Sequence, residues 1–452
     1  KIQFIKIFIF KQFKDIETYG IQELFRKFYL LVKILVRIST VVIAIVPCLI
    51  IRLIRPWIII RIGRVDSTNY GELVREPTIY YCKKKLKMDL PKKKYLDLIY
   101  IRYNDKISNK QLVKMWKRKL TFLPSYLLDP INKVNRFIPG WKTHSIETLS
   151  DAILVRKAIV GLSKLFDVDN LIEKFQPLNF TPDEETHGKE MLKKFGLNDD
   201  DKFVCLAVRD GAYQLKRIPS RFRDWSYHSF RNHDIDDFVL AAESLAERGY
   251  YVFRMGVVVN KSFNLNNPKI IDYANSNLRN GFMDVYLGAK CSFCLSTGFG
   301  FFDLPYVFGK PIALLSLPFG ELCTWSEKFF LLTKHHILKK EKRRLSLSEI
   351  FSHGAAYLDD TKSYEQKGVE LVDNTPEEIR DLAIETAENT EFKKQLNPEQ
   401  EELQKTFKNL FVQNLVKPFE YSGKKYNTSP FHGHIRSRFS TKFLEENKDW
   451  LK

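Results

Sequence analysis

The feature that most constrains the fold is an alternation of strand-like and helix-like segments between residues 202 and 316. The strand-like runs are KFVCLAVR (202–209), YYVFRMG (250–256), CSFCL (291–295) and KPIALLS (310–316). The helix-like stretches between them are DIDDFVLAAESLAERG (234–249), MDVYLGAK (283–290) and FFDLPYVFG (301–309). Such alternation is typical of a parallel sheet covered on both faces. It predicts a doubly wound α/β domain that binds ligands at the carboxyl ends of its strands.

The part of the chain before residue 200 shows the same alternation more weakly. Its strand-like runs are WIIIRIG (57–63), TIYYC (78–82) and LDLIYI (96–101). Ser108 is a candidate N-cap for a helix over 108–120, and a later helix begins at Thr181-Pro182 and ends at Gly196. A chain of 452 residues is long enough for two domains. We predict four segments: N-terminal helices at 1–56, a Rossmann-like domain with connecting helices at 57–195, a second Rossmann-like domain at 196–395, and C-terminal helices at 396–452 that pack back across the domains.

The N-terminal segment is apolar from residue 28 to 62, yet its longest uncharged run, Ile38–Ile51, has 14 residues. A membrane-spanning helix needs about 20 residues. Pro47 interrupts the run, and cations lie on both sides of it: Lys1, Lys6, Lys11, Lys14, Arg26, Lys27, Lys33, Arg37, Arg52, Arg55 and Arg61. This pattern favours helices that lie in the interface of an anionic membrane. A helix packed on the protein core and a single membrane span are the alternatives.

The formal net charge of +19 indicates an anionic partner such as nucleic acid, anionic lipid or nucleotide phosphate. The chain shows no zinc-finger spacing or RNA-binding aromatic signature, which argues against nucleic acid. Six cysteines in a chain of this size are too few for a disulfide scaffold, and they favour a reducing compartment.

Three of the strand-like runs end in residues that suit a diphosphate. The tips read Arg209-Asp210-Gly211, Arg254-Met255-Gly256 and STGFG (296–300). Arginine offers a planar fork to phosphate oxygens, glycine lets the backbone approach an anion, and a helix beginning near Phe301 would point its amide groups at the site. We predict that the binding residues are Arg209, Arg254, Gly256, Ser296, Thr297, Gly298 and Gly300.

Each of these residues also has a structural alternative. An arginine at a strand end often pairs with a nearby carboxylate, and Asp210 is the candidate partner. Asp272 and Tyr273 follow a short predicted strand and are candidates for contacts with a base or ribose. Asp284 suits either a ligand contact or a helix N-cap.

The pair Cys291 and Cys294 predicts packing rather than chemistry. Redox pairs with this spacing lie at a helix N-terminus, whereas both cysteines fall in a predicted strand. No second cysteine pair lies nearby to complete a metal site. His335-His336 lie in the basic stretch TKHHILKKEKRR, which predicts a solvated loop. We therefore expect no metal and no cofactor.

Several segments together resemble one family of glycosyltransferases that is found with bacterial surface-polysaccharide genes. They are VRIGRVDSTNYGEL, VCLAVRDGAY, RN-x-DI (231–235), YYVFRMG, IIDYANS, MDVYLGAKCSFCLSTGFG and FHGHIRSRFSTKFLEEN. The resemblance runs from about Ile58 to the C-terminus and implies the GT-B architecture, in which two Rossmann-like domains face a cleft. It implies that the C-terminal domain binds a nucleotide-sugar. A looser similarity to fucosyltransferases implies that Arg209 and Ser296-Thr297 hold the donor diphosphate.

The family pattern has Ile-Gly-His where this chain has Tyr70-Gly71-Glu72. Inverting enzymes of this architecture often take their base from the N-terminal domain, which makes Glu72 a candidate catalytic base. Asp210 and Asp66 are its rivals, and a surface position is the alternative for Glu72.

The resemblance, the arginines at the strand ends and the N-terminal segment together predict a metal-independent glycosyltransferase at the cytoplasmic face of the bacterial inner membrane. Its partners would be a nucleotide-sugar donor, a glycan or lipid-linked acceptor, and the anionic membrane surface, with no nucleic acid. An enzyme similar to a nucleotide-sugar epimerase and a non-catalytic glycan-binding or scaffold protein are the alternatives.

Overall fold

The computed structural model of the chain describes residues 20–88, 90–146, 168–217, 224–298, 300–319, 322, 326–358, 360–415, 419–421, 424–426 and 435–452. Lys1, Lys6, Lys11 and Lys14 of the predicted cationic flank lie outside these residues. The helices are α1 (Ile21–Ile43), α2 (Ile45–Leu53), α3 (Tyr70–Lys85), α4 (Lys110–Lys117), α5 (Ser125–Phe137), α6 (Val168–Phe175), α7 (Pro182–Lys194), α8 (Ala212–Arg217), α9 (Val239–Glu247), α10 (Gly281–Lys290), α11 (Asp303–Val307), α12 (Leu347–Ser352), α13 (Thr361–Gln366), α14 (Pro376–Phe392), α15 (Pro398–Leu415) and α16 (Thr441–Glu446).

The strands are β1 (Ile59–Arg64), β2 (Tyr95–Tyr100), β3 (Phe203–Ala207), β4 (Tyr251–Arg254), β5 (Ile270–Ile271), β6 (Phe293–Ser296), β7 (Ile312–Leu317), β8 (Phe329–Thr333), β9 (His335–Leu338), β10 (Arg343–Arg344), β11 (Val369–Val372), β12 (Phe419–Tyr421), β13 (Lys424–Tyr426) and β14 (Arg438–Phe439). The chain forms two compact units. The first contains residues 1–64, 91–104 and 121–147, and the second contains 65–90, 105–120 and 148–452.

The second unit is built on a seven-stranded sheet in the order β14-β8-β7-β6-β3-β4-β5. Every neighbouring pair in it is parallel. From β5 to β8 this is the strand order of the Rossmann fold, in which the direction of winding reverses between the first and the fourth strand. Those two strands are β3 and β6 here. The predicted doubly wound α/β domain is therefore confirmed.

The strands of this sheet are apolar because both of their faces are covered. All residues of β3, β6 and β7 are buried. The helix that was predicted to begin at Thr181-Pro182 is α7. Its capping box is complete, because Thr181 Oγ1 accepts a hydrogen bond from the N–H of Glu184 and the Glu184 carboxylate accepts one from the N–H of Thr181.

The C-terminal residues join the same unit. Strand β14 pairs with β8, and Gln404 on α15 donates to the carbonyl of Phe439. The rings of Phe407, Phe439 and Trp450 lie against one another.

The first unit is built on two parallel strands, β1 and β2, as WIIIRIG and LDLIYI predicted. Arg61 and Asp97 face each other in this register and form a buried ion pair, with Nε to Oδ1 at 2.7 Å. Helix α5 packs on the sheet through Leu128, which forms a small core with Ile62 and Tyr100.

The stretch TIYYC was predicted to be a strand, and this prediction is wrong. It lies in α3, a helix of the second unit whose Thr78, Ile79, Tyr80 and Cys82 are all buried. The β-branched and aromatic residues follow the packing of the helix rather than their own propensity.

Pro77 lies inside α3 and cannot donate to the carbonyl of Leu73, four residues earlier. The indole N–H of Trp116 on α4 donates to that carbonyl instead, at 2.9 Å. This contact satisfies the one backbone acceptor that the proline leaves without its helical partner, and it joins α4 to α3.

The predicted solvated loop at His335-His336 is also wrong. Both residues lie in β9, between β10 and β11. His336 is 1% exposed and its Nδ1 lies 3.0 Å from the carbonyl oxygen of Lys334, while His335 Nε2 lies 2.9 Å from the Glu378 carboxylate.

Helices α1 and α2 carry a large exposed apolar surface. In α2 and just beyond it, Val46, Leu49, Leu53 and Trp57 are 53% to 73% exposed. Cys48 on the opposite side of α2 is buried against α5. Within the described ranges, no helix combines the length and the apolar character that crossing a membrane requires.

Candidate functional site at the switch point of the sheet

The carboxyl ends of β3 and β6 meet where the winding of the sheet reverses, which is where open α/β sheets bind ligands. Ala207 pairs with Ser296 at this point. The N–H of Arg209 donates to Thr297 Oγ1 at 2.9 Å, and the N–H of Thr297 donates to the carbonyl of Ala207 at 3.1 Å. Two of the three predicted strand tips are therefore joined directly by hydrogen bonds.

Two guanidinium groups lie at this junction. Arg209 is 6% exposed, and its Nη1 donates to the carbonyl of His228 at 3.1 Å. Arg231 donates through Nη2 to the carbonyl of Gly298 at 3.0 Å. It belongs to the RN-x-DI motif but was not predicted to be a site residue.

The backbone of the turn after β6 requires glycine at two positions. Gly298 has φ +71°, and a Cβ there would lie 2.1 Å from Leu317 Cδ2. A Cβ at Gly300 would lie 2.7 Å from the backbone nitrogen of Gly71 on α3. Phe299, between these glycines, lies outside the described residues.

The hydroxyl groups of the turn differ in their partners. Thr297 is 2% exposed and accepts from Arg209, as described above. Ser296 is fully buried, and its Oγ has no hydrogen-bond partner among the described residues.

The third strand tip carries a buried ion pair. Arg254 is 1% exposed, and its Nη1 lies 3.3 Å from Asp272 Oδ1. Burial lowers the pKa of this guanidinium, and the Asp272 carboxylate opposes that effect. Arg254 Nε has no hydrogen-bond partner within the described ranges. The pairing of a strand-end arginine with a carboxylate therefore occurs here, with Asp272.

Asp272 and Tyr273 hold the surrounding backbone. Asp272 Oδ2 also accepts from the N–H of Phe263 at 2.8 Å. Tyr273 is 0% exposed, and its hydroxyl donates to Asp284 Oδ1 at 2.9 Å. The predicted contact of Tyr273 with a base or ribose is inconsistent with this burial.

Two residues that were predicted to belong to the site, Asp210 and Gly256, make hydrogen bonds that hold the surrounding loops. Asp210 accepts from the N–H of Ala212 at 3.0 Å and from the N–H of Asn260 at 2.6 Å. The carbonyl of Gly256 accepts from Arg279 Nε at 2.8 Å.

The N-cap of α10 is Asn280, whose side chain accepts from the N–H of Met283. The alternative that assigned this cap to Asp284 is therefore wrong. Asp284 is buried in the first turn, where its Oδ2 lies 3.1 Å from Arg279 Nη2. Burial raises the pKa of Asp284, and the charge of Arg279 opposes that effect.

A cavity of about 300 Å³ lies beside these strand ends. Its walls include both signs of charge and two amide side chains. The lining residues are Val208, Asp210, Asn232, His233, Asp234, Ile235, Arg254, Asn260, Lys261 and Asp373. Asn232 Oδ1 is buried in this wall and has no hydrogen-bond partner in the described part of the chain. No sequence pattern indicated that His233, Lys261 or Asp373 belongs to the site, because only the fold brings these residues to the strand ends.

Glu72 lies on α3 and forms an ion pair with Arg75, at 2.6 Å. Arg75 in turn lies 3.3 Å from Asp303 at the start of α11. Burial and the charge of Glu72 raise the pKa of Asp303 to about 6, although Arg75 opposes them. The rival Asp66 accepts from both the N–H and the hydroxyl of Thr68. Arg75 therefore links the carboxylates of Glu72 and Asp303, and Glu72 is not an isolated surface residue.

The predicted helix near Phe301 is confirmed as α11, but it has only five residues, and Asp303 lies in its first turn. Such a short helix with an acid at its start adds little to the attraction of an anion. The prediction that its dipole supports the site is therefore not sustained.

Cys291 and Cys294 are buried free thiols, and burial raises the pKa of Cys294. Cys294 lies in β6, whereas Cys291 follows the end of α10. Among the described residues no cluster of histidine, cysteine and acidic side chains could hold a metal ion.

The fold is that of an α/β protein with a Rossmann-like sheet, and the switch point of this sheet is the candidate ligand site. No protein-family model matches the chain, and no curated protein matches it. Among solved structures, it is similar to a glycosyl transferase family 9 protein of Veillonella parvula, with 11% identity, a TM-score of 0.33, and 60% of this chain and 85% of that chain covered.

Two E. coli structures are similar in the same way. For ADP-heptose LPS heptosyltransferase II the identity is 11% and the TM-score 0.34, with 60% of this chain and 90% of that chain covered. For heptosyltransferase WaaC with ADP-2-deoxy-2-fluoro heptose the identity is 10% and the TM-score 0.26, with 61% and 93% covered. These neighbours are glycosyltransferases, and the likeness is weak and concerns the fold alone.

Proposed function

We propose that this chain is a glycosyltransferase that moves a sugar from a nucleotide-sugar donor to a glycan or lipid-linked acceptor. The observation that carries the proposal is the meeting of the motif segments VCLAVRDGAY, RN-x-DI and CSFCLSTGFG at one switch point. Arg209, Arg231 and Thr297 lie together there through the contacts Arg209–Thr297 and Arg231–Gly298. The family that these segments resemble supplies the reaction class.

In the proposed reaction the bond between the anomeric carbon of the donor sugar and its diphosphate oxygen breaks. The acceptor oxygen forms a new bond to that carbon and gives up its proton to a base. Arg209 and Arg231 would stabilise the charge that develops on the leaving diphosphate, because fixed cations in a buried site need no reorganisation. This role requires no metal ion.

Glu72 and Asp210 remain the candidates for the base. Asp210 accepts hydrogen bonds from two backbone N–H groups, which hold its carboxylate in place beside the strand ends. Glu72 is oriented by Arg75 and lies next to Gly71, which contacts the turn after β6. Glu72→Gln and Asp210→Asn, each assayed for kcat, separate the two candidates.

The donor site is tested by thermal stabilisation of the full chain across UDP-, GDP-, CMP-, ADP- and dTDP-sugars. We expect one nucleotide class to stabilise it and Arg209→Ala to weaken that binding by about 10- to 150-fold, since a hydrogen bond to a charged group contributes about 1.5 to 3 kcal/mol. The matched control is Arg248→Ala, which removes an arginine paired with Glu388. Unchanged affinity in Arg209→Ala would refute the site, and no response to any donor would favour a scaffold protein.

We also propose that the first unit binds the anionic surface of a membrane, on the cytoplasmic face where nucleotide-sugars are made. The support is the exposed apolar row formed by Val46, Leu49, Leu53 and Trp57, with the exposed Arg55 beside it. An interfacial helix buries such a row among lipid chains while its arginines reach the headgroups.

This surface is tested by flotation of the full chain with phosphatidylglycerol-containing vesicles. Each leucine that enters the lipid contributes about 1.5 to 3 kcal/mol, so the double variant Leu49→Glu/Leu53→Glu is expected to lose at least about tenfold in binding. Phe392→Glu is the control, because Phe392 is 73% exposed in the second unit. Equal binding of the double variant and the control would contradict the proposal.

A further inference from the structure

The cavity beside the strand ends contains a histidine that the proposed reaction does not use. His233 is 8% exposed, and its Nδ1 lies 3.0 Å from Asp373 Oδ1. Its Nε2 is buried and has no hydrogen-bond partner among the described residues. The ring lines the cavity together with Asp373.

The protonation of this pair follows from its neighbours. Burial opposes the charged form of Asp373, but the hydrogen bond from His233 and the charge of Lys334 outweigh burial and lower its pKa to about 2. Burial, together with the charges of Lys334 and Arg209, lowers the pKa of His233 to about 4, although Asp373 opposes them. At neutral pH the pair is therefore an ionised carboxylate and a neutral imidazole.

The tautomer of His233 is then determined. An ionised carboxylate only accepts hydrogen bonds, so the single ring proton lies on Nδ1 and is donated to Asp373. Nε2 consequently carries a lone pair. A weakly basic nitrogen of this kind is a good hydrogen-bond acceptor for a hydroxyl group and a poor base for removing its proton.

The same cavity is also lined by hydrogen-bond donors. Arg254 Nε is a buried donor without a partner among the described residues, and Lys261 also lines the cavity. Lys261 is an exposed cation that Asp234 and Asp236 share. A ligand with both hydroxyl groups and a phosphate would match this lining. At about 300 Å³ the cavity is at the lower end of the range for ligand sites, about 300 to 1,000 Å³, and suits one moiety rather than a whole nucleotide-sugar.

We propose that His233, oriented by Asp373, binds a hydroxyl group of a sugar phosphate moiety whose phosphate lies toward Arg254 and Lys261. This inference deepens the proposed function and depends on it, because it names the part of the donor that the cavity takes. The hydroxyl belongs either to the ribose or to the transferred sugar. Asp373 acts as a positioning residue, and Lys334 keeps it ionised.

The experiment measures binding of three probes to the full chain by ligand-observed NMR: ribose 5-phosphate, glucose 1-phosphate and inorganic phosphate. We expect one of the two sugar phosphates to bind at least about fivefold more tightly than inorganic phosphate, since one net hydrogen bond contributes about 1 kcal/mol. Preference for ribose 5-phosphate assigns the hydroxyl to the nucleotide, and preference for glucose 1-phosphate assigns it to the transferred sugar.

Two substitutions assign the preference to the pair. His233→Phe keeps a ring without an acceptor. Asp373→Asn replaces a carboxylate, which only accepts, by an amide that either donates to Nδ1 or accepts from it, so the tautomer that exposes the lone pair on Nε2 is no longer fixed. Both are expected to reduce the preference to about onefold while phosphate binding persists. His233→Gln, whose amide can donate to Asp373 and accept from the ligand, is expected to retain part of it. Glu370→Gln is the charge-matched control, since Glu370 is exposed on β11 and does not line the cavity.

The outcomes separate this inference from the proposed function. If neither sugar phosphate is preferred, or if both variants keep the preference, the role of His233 is refuted even when Arg209→Ala abolishes donor binding. If His233→Phe does not fold, Asp373→Asn carries the same test. A preference that disappears in both variants and survives in Glu370→Gln supports the inference.

Discussion

The substitution Glu76→Gln offers the most direct test of the electrostatics of α3. Glu76 is 3% exposed, and one of its oxygens lies 3.3 Å from the N–H of Asp66. Burial and the charge of Glu72 raise its pKa from an ordinary 4.5 to about 8, despite the hydrogen bond from Asp66. The folded chain therefore holds a proton on Glu76 at pH values where the unfolded chain has released it.

The sign of the pH dependence follows from this difference. Between pH 4.5 and about 8 the folded state binds more protons than the unfolded state, so the contribution of Glu76 is most favourable below pH 4.5 and is lost as the pH rises through 8. One pKa unit corresponds to about 1.4 kcal/mol, which gives an upper limit of about 5 kcal/mol for the whole interval. Relaxation of the buried site reduces this effect, and about 2 to 4 kcal/mol is the expected range.

Glutamine does not titrate, so the variant lacks this loss. We expect the free energy of unfolding of Glu76→Gln, relative to the unchanged chain, to rise by about 2 to 4 kcal/mol between pH 5 and pH 8.5. Urea unfolding followed by tryptophan fluorescence measures it, because Trp116 is buried beside α3. Glu190→Gln, an exposed position on α7, is the control. A difference that stays constant within about 0.5 kcal/mol over this range would refute the reasoning.

Three further substitutions test contacts of the second unit by urea unfolding. Gly298→Ala combines a positive φ with a 2.1 Å clash and is expected to reduce the free energy of unfolding by about 2 to 5 kcal/mol. Gly196→Ala has a positive φ in open space, so its expected loss of about 1 to 2 kcal/mol measures the backbone strain alone. Equal losses in the two variants would contradict the clash. Asp272→Asn leaves the charge of Arg254 buried without its partner and is expected to cost about 3 to 5 kcal/mol; a loss below about 1 kcal/mol would show that the ion pair is unimportant. Trp116→Phe leaves the carbonyl freed by the helix proline without a donor and is expected to cost about 1 to 3 kcal/mol, so an unchanged midpoint would refute that role.

The strands around the site could be predicted because they are short apolar runs separated by amphipathic stretches. β3, β4, β6 and β7 were each expected within a few residues of their observed bounds. A continuous apolar run is a local property of the sequence. It predicts a strand correctly when both faces of that strand are buried in the tertiary structure. The parallel order could also be expected, since right-handed crossovers leave few alternatives.

The partners of the charged side chains could not be predicted in this way. Arg254 pairs with Asp272, which was considered for a ligand contact, and His233 meets Asp373 from 140 positions along the chain. TIYYC lies in a helix in which four of its five residues are buried by packing. Such outcomes depend on distances between segments far apart in sequence, which a local pattern does not contain.

By itself the sequence determined the doubly wound sheet, the glycine turn after β6 and the apolar N-terminal helices, because propensity, periodicity and backbone freedom act between near neighbours. The tertiary structure alone decided which polar groups share the switch point and how they are protonated. Burial and nearby charge set those properties, and both arise only when distant segments pack together.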